Sequence, residues 1–311
     1  MSVTFCEAST AQLKSLTAEL PGGAIAGLIG GDAAAISDVL SLVAGSMQPA
    51  CGVVEASEPR RALGPDDPFN LAPAGVLTIH HTFSRHSELV RGRARLGLER
   101  LRRGGSTILV ASNEQELLRE LCDELWWFEE GQLRSKGDPG EVLAAYNHDV
   151  SQRLRAWAAG VQQSLTPAMR RGDGRAQLLG IELLDSAGQP AIVWQAGEEV
   201  AIRVTAGFQQ AVDDPVVGIM IRTRIGFEVF GTNTELEALR LGPAAAGEKI
   251  AVTFAFRCEL CPQDYTVTAA SHDPDGLWHD WMEDAIAFRV VDSRYTAGVA
   301  NLRARVTATR T

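Results

Sequence analysis

A change in hydrophobic period partway along the chain limits its fold more than any other feature. Up to about residue 157, apolar runs of strand length alternate with stretches of helical period. Beyond about residue 175 helical period disappears, and strand-length segments recur with turn signals between them. The first pattern predicts an α/β unit with a largely parallel sheet. The second predicts an all-β sandwich. With 311 residues the chain has room for both at roughly 100–200 residues each. The expected division is 1–157 for the α/β domain, 158–175 for a linker, 176–295 for the sandwich and 296–311 for a polar tail.

Local signals place the elements. Strands are expected at Val3–Cys6, Leu16–Leu20, Ala24–Ile29, Val76–Ile79 and Thr107–Ala111. A helix is expected over Ala33–Ala44, stopped by Gly45, and a charged one over Glu88–Arg103, ended by Gly104-Gly105. Ser112 or Asn113 is placed to cap a helix over Glu114–Cys122. Leu125–Phe128 and Gln132–Arg134 flank Glu129-Glu130-Gly131 as a hairpin, and Asp138-Pro139 opens a helix running to about Trp157. Ser164–Arg175, with Pro167, Gly172 and Gly174, reads as an exposed linker. After it come strands near 176–184, 199–206, 216–222, 228–232, 249–256, 265–272 and 285–291.

Composition removes several classes of function. The net charge is −10, which disfavours a phosphate backbone, so nucleic acid is not an expected partner. No apolar run approaches the ~18 residues of a membrane span, and the first residues lack a secretory pattern, so a cytoplasmic location is expected, peripheral to the inner membrane if partners hold it there. The five cysteines are scattered and odd in number, which argues against a disulfide framework. Cys258-x-x-Cys261 has zinc-knuckle spacing but no second pair, so two strand or turn residues are expected there and no metal.

Strand, glycines, then helix is the layout of a phosphate-binding loop, in which backbone N–H groups and a helix N-terminus surround phosphate. Gly27-Leu28-Ile29-Gly30-Gly31-Asp32-Ala33-Ala34-Ala35-Ile36-Ser37-Asp38-Val39-Leu40 resembles the Walker A segment of ABC transporter ATP-binding subunits, GLIGxNGxGKSTLL. Leu42–Gly45 with Pro49 and Gly52, Ile108–Asn113, and Leu121-Cys122-Asp123 through Tyr146 resemble later segments of that family, the last most like the subunits of bacterial polysaccharide exporters. Against the resemblance, Ile36 stands where the Walker lysine belongs, Ala33 and Ala35 replace glycines, and Asp38 replaces a threonine. His80 and His81 occupy the place of the Walker B acids, and Asn113 that of the switch histidine. Between Gly52 and Val76 only Pro- and Asp-rich residues such as Pro65–Pro68 stand where the family carries its Q-loop, helical subdomain and signature. The degenerate loop is therefore Gly30, Gly31, Asp32, Ile36, Ser37 and Asp38. The resemblance implies a truncated, degenerate P-loop NTPase-like domain, a pseudo-ATPase with no catalytic residues and no ATP–magnesium cofactor. His80-His81, with His86 nearby, invites a metal reading, but adjacent residues of a regular strand point to opposite faces.

The second half carries its own resemblance. Gly174–Gln177, Glu182–Gly188, Gly197–Val204, Pro215–Arg222, Gly226–Thr234, Gly247–Phe256, Tyr265–Thr268 and Phe288–Val290 keep the order and spacing of the carbohydrate-binding C-terminal domain of Wzt-type subunits of O-antigen ABC exporters. The resemblance implies an immunoglobulin-like sandwich that binds finished polysaccharide, often at a modified terminus, and commonly dimerises. Sugars are held by aromatic faces and by groups that bond hydroxyls. The candidates are Trp278, Trp281, His272, His279, Asp273, Asp275, Arg222, Arg224 and Asn233, with the richest segment, Ser271–Trp281, read as a loop. Packing under a sandwich edge is an alternative for the two tryptophans, a turn role for Asn233, and simple solvation for the two arginines.

The function expected is a noncatalytic polysaccharide-binding subunit of an ABC-type export or assembly system. Two alternatives stand beside it: a pseudo-ATPase that structurally partners an intact ABC subunit, and a divergent active ATPase. Expected partners are a polysaccharide, a second copy through the sandwich, and a polysaccharide permease or intact ATP-binding subunit.

Overall fold

The computed structural model describes residues 2–294 and 296–308. It divides into two compact units, Met1–Tyr146 and Asn147–Thr311. The division falls inside a helix, ahead of the expected boundary at residue 157; the tail beyond residue 308, and Tyr295, lie outside the described residues.

The first unit holds β1 (Val3–Ser9), β2 (Leu16–Leu20), β3 (Ile25–Gly30), α1 (Ala33–Ala44), β4 (Cys51–Ala56), β5 (Arg60–Leu63), β6 (Val76–His80), α2 (Glu88–Arg103), β7 (Thr107–Ala111), α3 (Gln115–Leu121), β8 (Glu124–Glu129) and β9 (Gln132–Gly137). A fourth helix, α4 (Pro139–Ala158), begins here and runs into the second unit. The main sheet has the order β5-β6-β7-β3-β8-β9, parallel except for the β8–β9 hairpin. Its central strands are buried on both faces, hence the continuous apolar runs of Ile25–Ile29 and Thr107–Ala111. Alternate residues serve opposite layers. Ala26, Leu28 and Leu109 pack with Ile36, Val39 and Val43 of α1. Ile25, Ile29, Ile108 and Val110 pack with Ala94 and Leu98 of α2 and Leu117 and Leu118 of α3. A small antiparallel sheet, β2-β1-β4, completes the unit.

Caps and turns fix the ends. Asp32 caps α1 by accepting from the Ala35 N–H at 3.0 Å, and Gly45 closes it in the left-handed region at φ 78°. Glu130 and Gly131 both take positive φ, the turn that matches strand twist in a two-residue hairpin. Asp138 accepts from the N–H groups of Gly140 and Glu141 at the head of α4. At α3 the cap position is Glu114, whose N–H is held by Ser112 Oγ at 3.1 Å, one or two residues later than expected. The stretch between Gly52 and Val76, in which the sequence offered only Pro- and Asp-rich residues, carries most of β4 and all of β5. Both pair through backbone at sheet edges and stay largely exposed, so no apolar alternation announces them.

The second unit is a sandwich. Its strands are β10 (Met169–Arg171), β11 (Ala176–Leu184), β12 (Val193–Gln195), β13 (Glu199–Phe208), β14 (Val216–Thr223), β15 (Glu228–Asn233), β16 (Lys249–Arg257), β17 (Asp264–His272) and β18 (Trp278–Val291). One sheet runs β10-β18-β17-β14-β15 with β12 parallel to β18; the other runs β11-β13-β16. Val200, Ile202 and Val204 of β13 meet Ile219 and Ile221 of β14 and Val267 of β17 in one core. Trp194 is wholly buried there, its ring 4.5 Å from that of Phe288.

Three expectations are corrected in this unit. Part of the segment read as a linker is strand β10, which pairs with Met282 and its neighbours on β18, while Thr166 and Ala168 donate backbone bonds to Ala285 and Glu283. Part of the polar tail is anchored: Asn301 is buried and its side chain donates to Asp292, and Arg303 donates to the Ala196 carbonyl. Ser271–Trp281 is not a loop. His272 ends β17, Trp278 opens β18, and only residues 273–277 turn between them.

Candidate functional site

The loop after β3 lies at the carboxyl edge of the parallel sheet, where ligands bind in open α/β folds. Gly30 is required there: at φ +152° a Cβ would stand 1.9 Å from the Phe128 carbonyl oxygen. The loop itself has closed up. Helix α1 already starts at Ala33, so the residues that would encircle a phosphate are in helical conformation. Asp32 occupies the helix N-terminus, where its second carboxylate oxygen accepts from the Gly131 N–H at 2.6 Å. The Gly31 N–H points to Glu129, a buried carboxylate, at 3.4 Å. Two acidic side chains thus take the amides and the positive dipole end that an anion would use. Ile36 is 4% exposed in the core beneath. Ser37 is half-buried on α1, and Asp38 accepts from Thr10 Oγ1 at 2.5 Å.

His80 and His81 correct the expectation of opposed side chains. His81 leaves the strand at φ 54°, and the two rings come within 5.1 Å. Burial first, then the neighbouring His81, lowers the His80 pKa and favours its neutral form. Asn113 is exposed at the start of the β7–α3 connection. Among the described residues no group of three or more His, Cys, Asp or Glu is placed to share a metal. Cys258 and Cys261 are buried free thiols, and burial pushes Cys258 up to about 11, so neither is a ready thiolate.

The sandwich carries a groove of about 370 Å³ on the outer face of its larger sheet, within the usual ~300–1,000 Å³ of ligand sites. One cross-strand row gives its floor: Trp281 of β18, Ala270 of β17, Gly218 of β14 and Asn233 of β15 stand in register. Small residues at the centre leave space between the tryptophans on one side and β15 on the other. Trp278, His272, Met220, Phe230, Thr232 and the carboxylate-bearing Glu228 are among the other residues that line it.

Trp278 and Trp281 are three residues apart, which on a regular strand would put them on opposite faces. A β-bulge removes that conflict. Ser271 pairs with Asp280 and His272 with Trp278, so His279 is the extra residue, and the two indoles meet edge to face at 4.6 Å. His279 is therefore inside. Its ring nitrogens lie 3.1 Å from Ser271 Oγ and 2.9 Å from Asp273 Oδ1. The connectivity is that of a hydrolytic triad, but Ser271 is wholly buried and reaches no substrate. The Asp273 carboxylate also accepts from Arg175 at 2.6 Å.

The remaining candidates have partners of their own. Arg222 is clamped between Glu283 at 2.6 Å and Glu228 at 3.0 Å. Arg224 lines a different depression with Ile225 and Phe227. Asp275 accepts from the Leu277 N–H, and Asn233 Oδ1 caps the Leu236 N–H at 2.7 Å while still facing the groove. His272 Nδ1 sits 2.6 Å from the Asp273 carbonyl, which only accepts, so this nitrogen carries the proton and Nε2 is the acceptor in the neutral ring. A larger cavity, about 880 Å³ beside 155–165 and β11, has no aromatic wall.

Burial opposes ionisation of Asp273, but the bonds from Arg175 and His279 outweigh it and hold its pKa below the ordinary carboxylate value. A depressed pKa adds stability above about pH 4, lost as pH falls through the folded value. Acid is therefore expected to loosen the bulge below about pH 4, read as a change in tryptophan fluorescence. Asp273→Asn should abolish that component; an unchanged acid transition in the variant would contradict the assignment.

Residues 167–302 match the family model described as the Wzt C-terminal domain. This segment is similar to the Wzt C-terminal domain. A curated relative, the O-antigen export system ATP-binding protein RfbB of Myxococcus xanthus, is 24% identical over 150 residues, 45% of this chain and 34% of that protein. The match thus spans about a third of the relative's length. Among solved structures, the crystal structure of the C-terminal domain of wzt is similar with a TM-score of 0.44 and 21% identity, covering 48% of this chain and 93% of that one. The structure of an ATP binding subunit of an ABC transporter gives a TM-score of 0.40 and 12% identity, covering 47% and 93%. In this segment the residues legible from the sequence were aromatic and polar ones; Met220, Phe230, Ala270 and Gly218 join them only through strand register.

Proposed function

We propose that the chain is a noncatalytic polysaccharide-binding subunit of an ABC-type O-antigen export system, with an ABC-ATPase-like scaffold ahead of an immunoglobulin-like sandwich. The observation that carries this reading is the bulge at His279, which turns Trp278 and Trp281 onto one groove face opposite Asn233 and Thr232. Indole faces stack on sugar C–H groups, while His272 Nε2, Asn233 and Thr232 serve hydroxyls. The Trp281 Nε1–H is buried without a hydrogen-bond partner among the described residues.

The closed phosphate loop supports the noncatalytic part. Carboxylates at the helix N-terminus and an apolar Ile36 oppose triphosphate binding. The same loop favours the second reading, a pseudo-ATPase that shapes a complex with an intact ABC subunit and the permease. A second copy through the sandwich and peripheral attachment at the inner membrane belong to both; no helix among the described residues is long and apolar enough to cross a membrane.

Calorimetric titration of the full chain with O-antigen oligosaccharides tests the first reading, and saccharide binding indifferent to ATP is expected. No binding across a broad glycan set would leave the structural partner as the function. Titration with Mg-ATP is expected to give no saturable heat, and micromolar binding would restore the divergent ATPase.

A further inference from the structure

Helix α2 carries six arginines in sixteen residues, Glu88–Arg103, against two glutamates, although the chain as a whole is at −10. Its inner face, Ala94 and Leu98, packs in the core. One flank is neutralised: Arg91 binds Glu88 and Glu114, Arg95 binds Glu120, and Arg102 binds Glu99 and Asp123. The outermost line is different. Leu89, Arg93, Leu96, Arg100 and Arg103 follow one another at spacings of four and three, within about 80° of arc. Leu89 and Leu96 are 65% and 67% exposed. Arg93 and Arg100 are exposed and carry no ion pair among the described residues. Gly92, beside the line, has no neighbouring atom within 4 Å of where a Cβ would stand.

We infer that this stripe is a docking surface for an anionic lipid bilayer. Charge complementarity selects the occupant: the unpaired guanidiniums of Arg93 and Arg100 alternate with Leu89 and Leu96 along a helix about 24 Å long, while Arg103 at its end is paired with Glu99 and the neighbouring depression opens on the other flank, beside Glu88, Arg91 and Arg95. Leucines enter the headgroup boundary while arginines extend to phosphates, as interfacial helices do. The inference does not depend on saccharide binding.

Flotation of the full chain with vesicles of phosphatidylcholine alone, or mixed with phosphatidylglycerol, tests it. The chain is expected to partition onto the mixed vesicles at low salt, to leave them at high salt, and to ignore phosphatidylcholine. Removing both free charges, in Arg93→Gln with Arg100→Gln, should cut partitioning by about 25-fold. Leu89→Ser with Leu96→Ser should also weaken it, because insertion adds to attraction. All four side chains are exposed, so folding is retained, and circular dichroism checks this. No partitioning onto the mixed vesicles overturns the inference and leaves an acidic protein face as the occupant. Equal partitioning of either double variant and the natural chain overturns it as well.

Discussion

Ile36→Lys is expected to destabilise the α/β unit by about 3 kcal/mol and to yield no ATP turnover. Ile36 sits 4% exposed among the apolar side chains that join α1 to β3. An ammonium placed there must either lose its water or swing out and leave a cavity, and both cost stability. The one acid a turn away, Asp32, is already bonded to the N–H groups of Ala35 and Gly131. Ile36→Met, which keeps volume without charge, should cost less than ~1.5 kcal/mol. Urea unfolding of both variants separates the two causes, and a coupled ATPase assay measures turnover. Restored hydrolysis in Ile36→Lys would show that the loop is a single residue away from function and that its closure is not what silences it.

Trp281→Ala should weaken oligosaccharide binding by about 30-fold, near 2 kcal/mol, because an indole platform supplies both area and ring geometry. Trp281→Phe should retain part of that. His279→Ala touches no ligand yet should also weaken binding, since the bulge that co-orients the two indoles rests on its bonds to Ser271 and Asp273. Titration calorimetry on the full chain, with near-ultraviolet circular dichroism to read the indole pair, distinguishes positioning from contact: His279→Ala alters the coupled aromatic signal with both tryptophans present. Affinity unchanged in Trp281→Ala sinks the groove as the site.

Elements with caps or two buried faces were legible in the sequence. The limits of α1 follow from Asp32 and Gly45, those of α2 from its period and Gly104, and β7 from five successive buried residues. Strands held only by backbone pairing were not: β10 is three exposed residues, Met-Arg-Arg, and β4 shows no apolar alternation. The closure of the phosphate loop was legible in which residues changed, but not in what replaced the anion, because Glu129 reaches Gly31 from a strand 98 residues away. For the groove, residue type pointed to Trp278, Trp281, His272 and Asn233. Parity along β18 could not, because a bulge inverts it, and neither could chemistry reveal Gly218 and Ala270, whose contribution is the absence of a side chain.

Carrying both indoles on strands, not on a mobile connection, has a kinetic consequence. A surface whose backbone is fixed by ladder bonds on either side has little to rearrange when a ligand arrives. Capture should then follow a single exponential whose rate rises linearly with ligand concentration, without the plateau that a slow opening step imposes, and differences among ligands should reside in how long each stays.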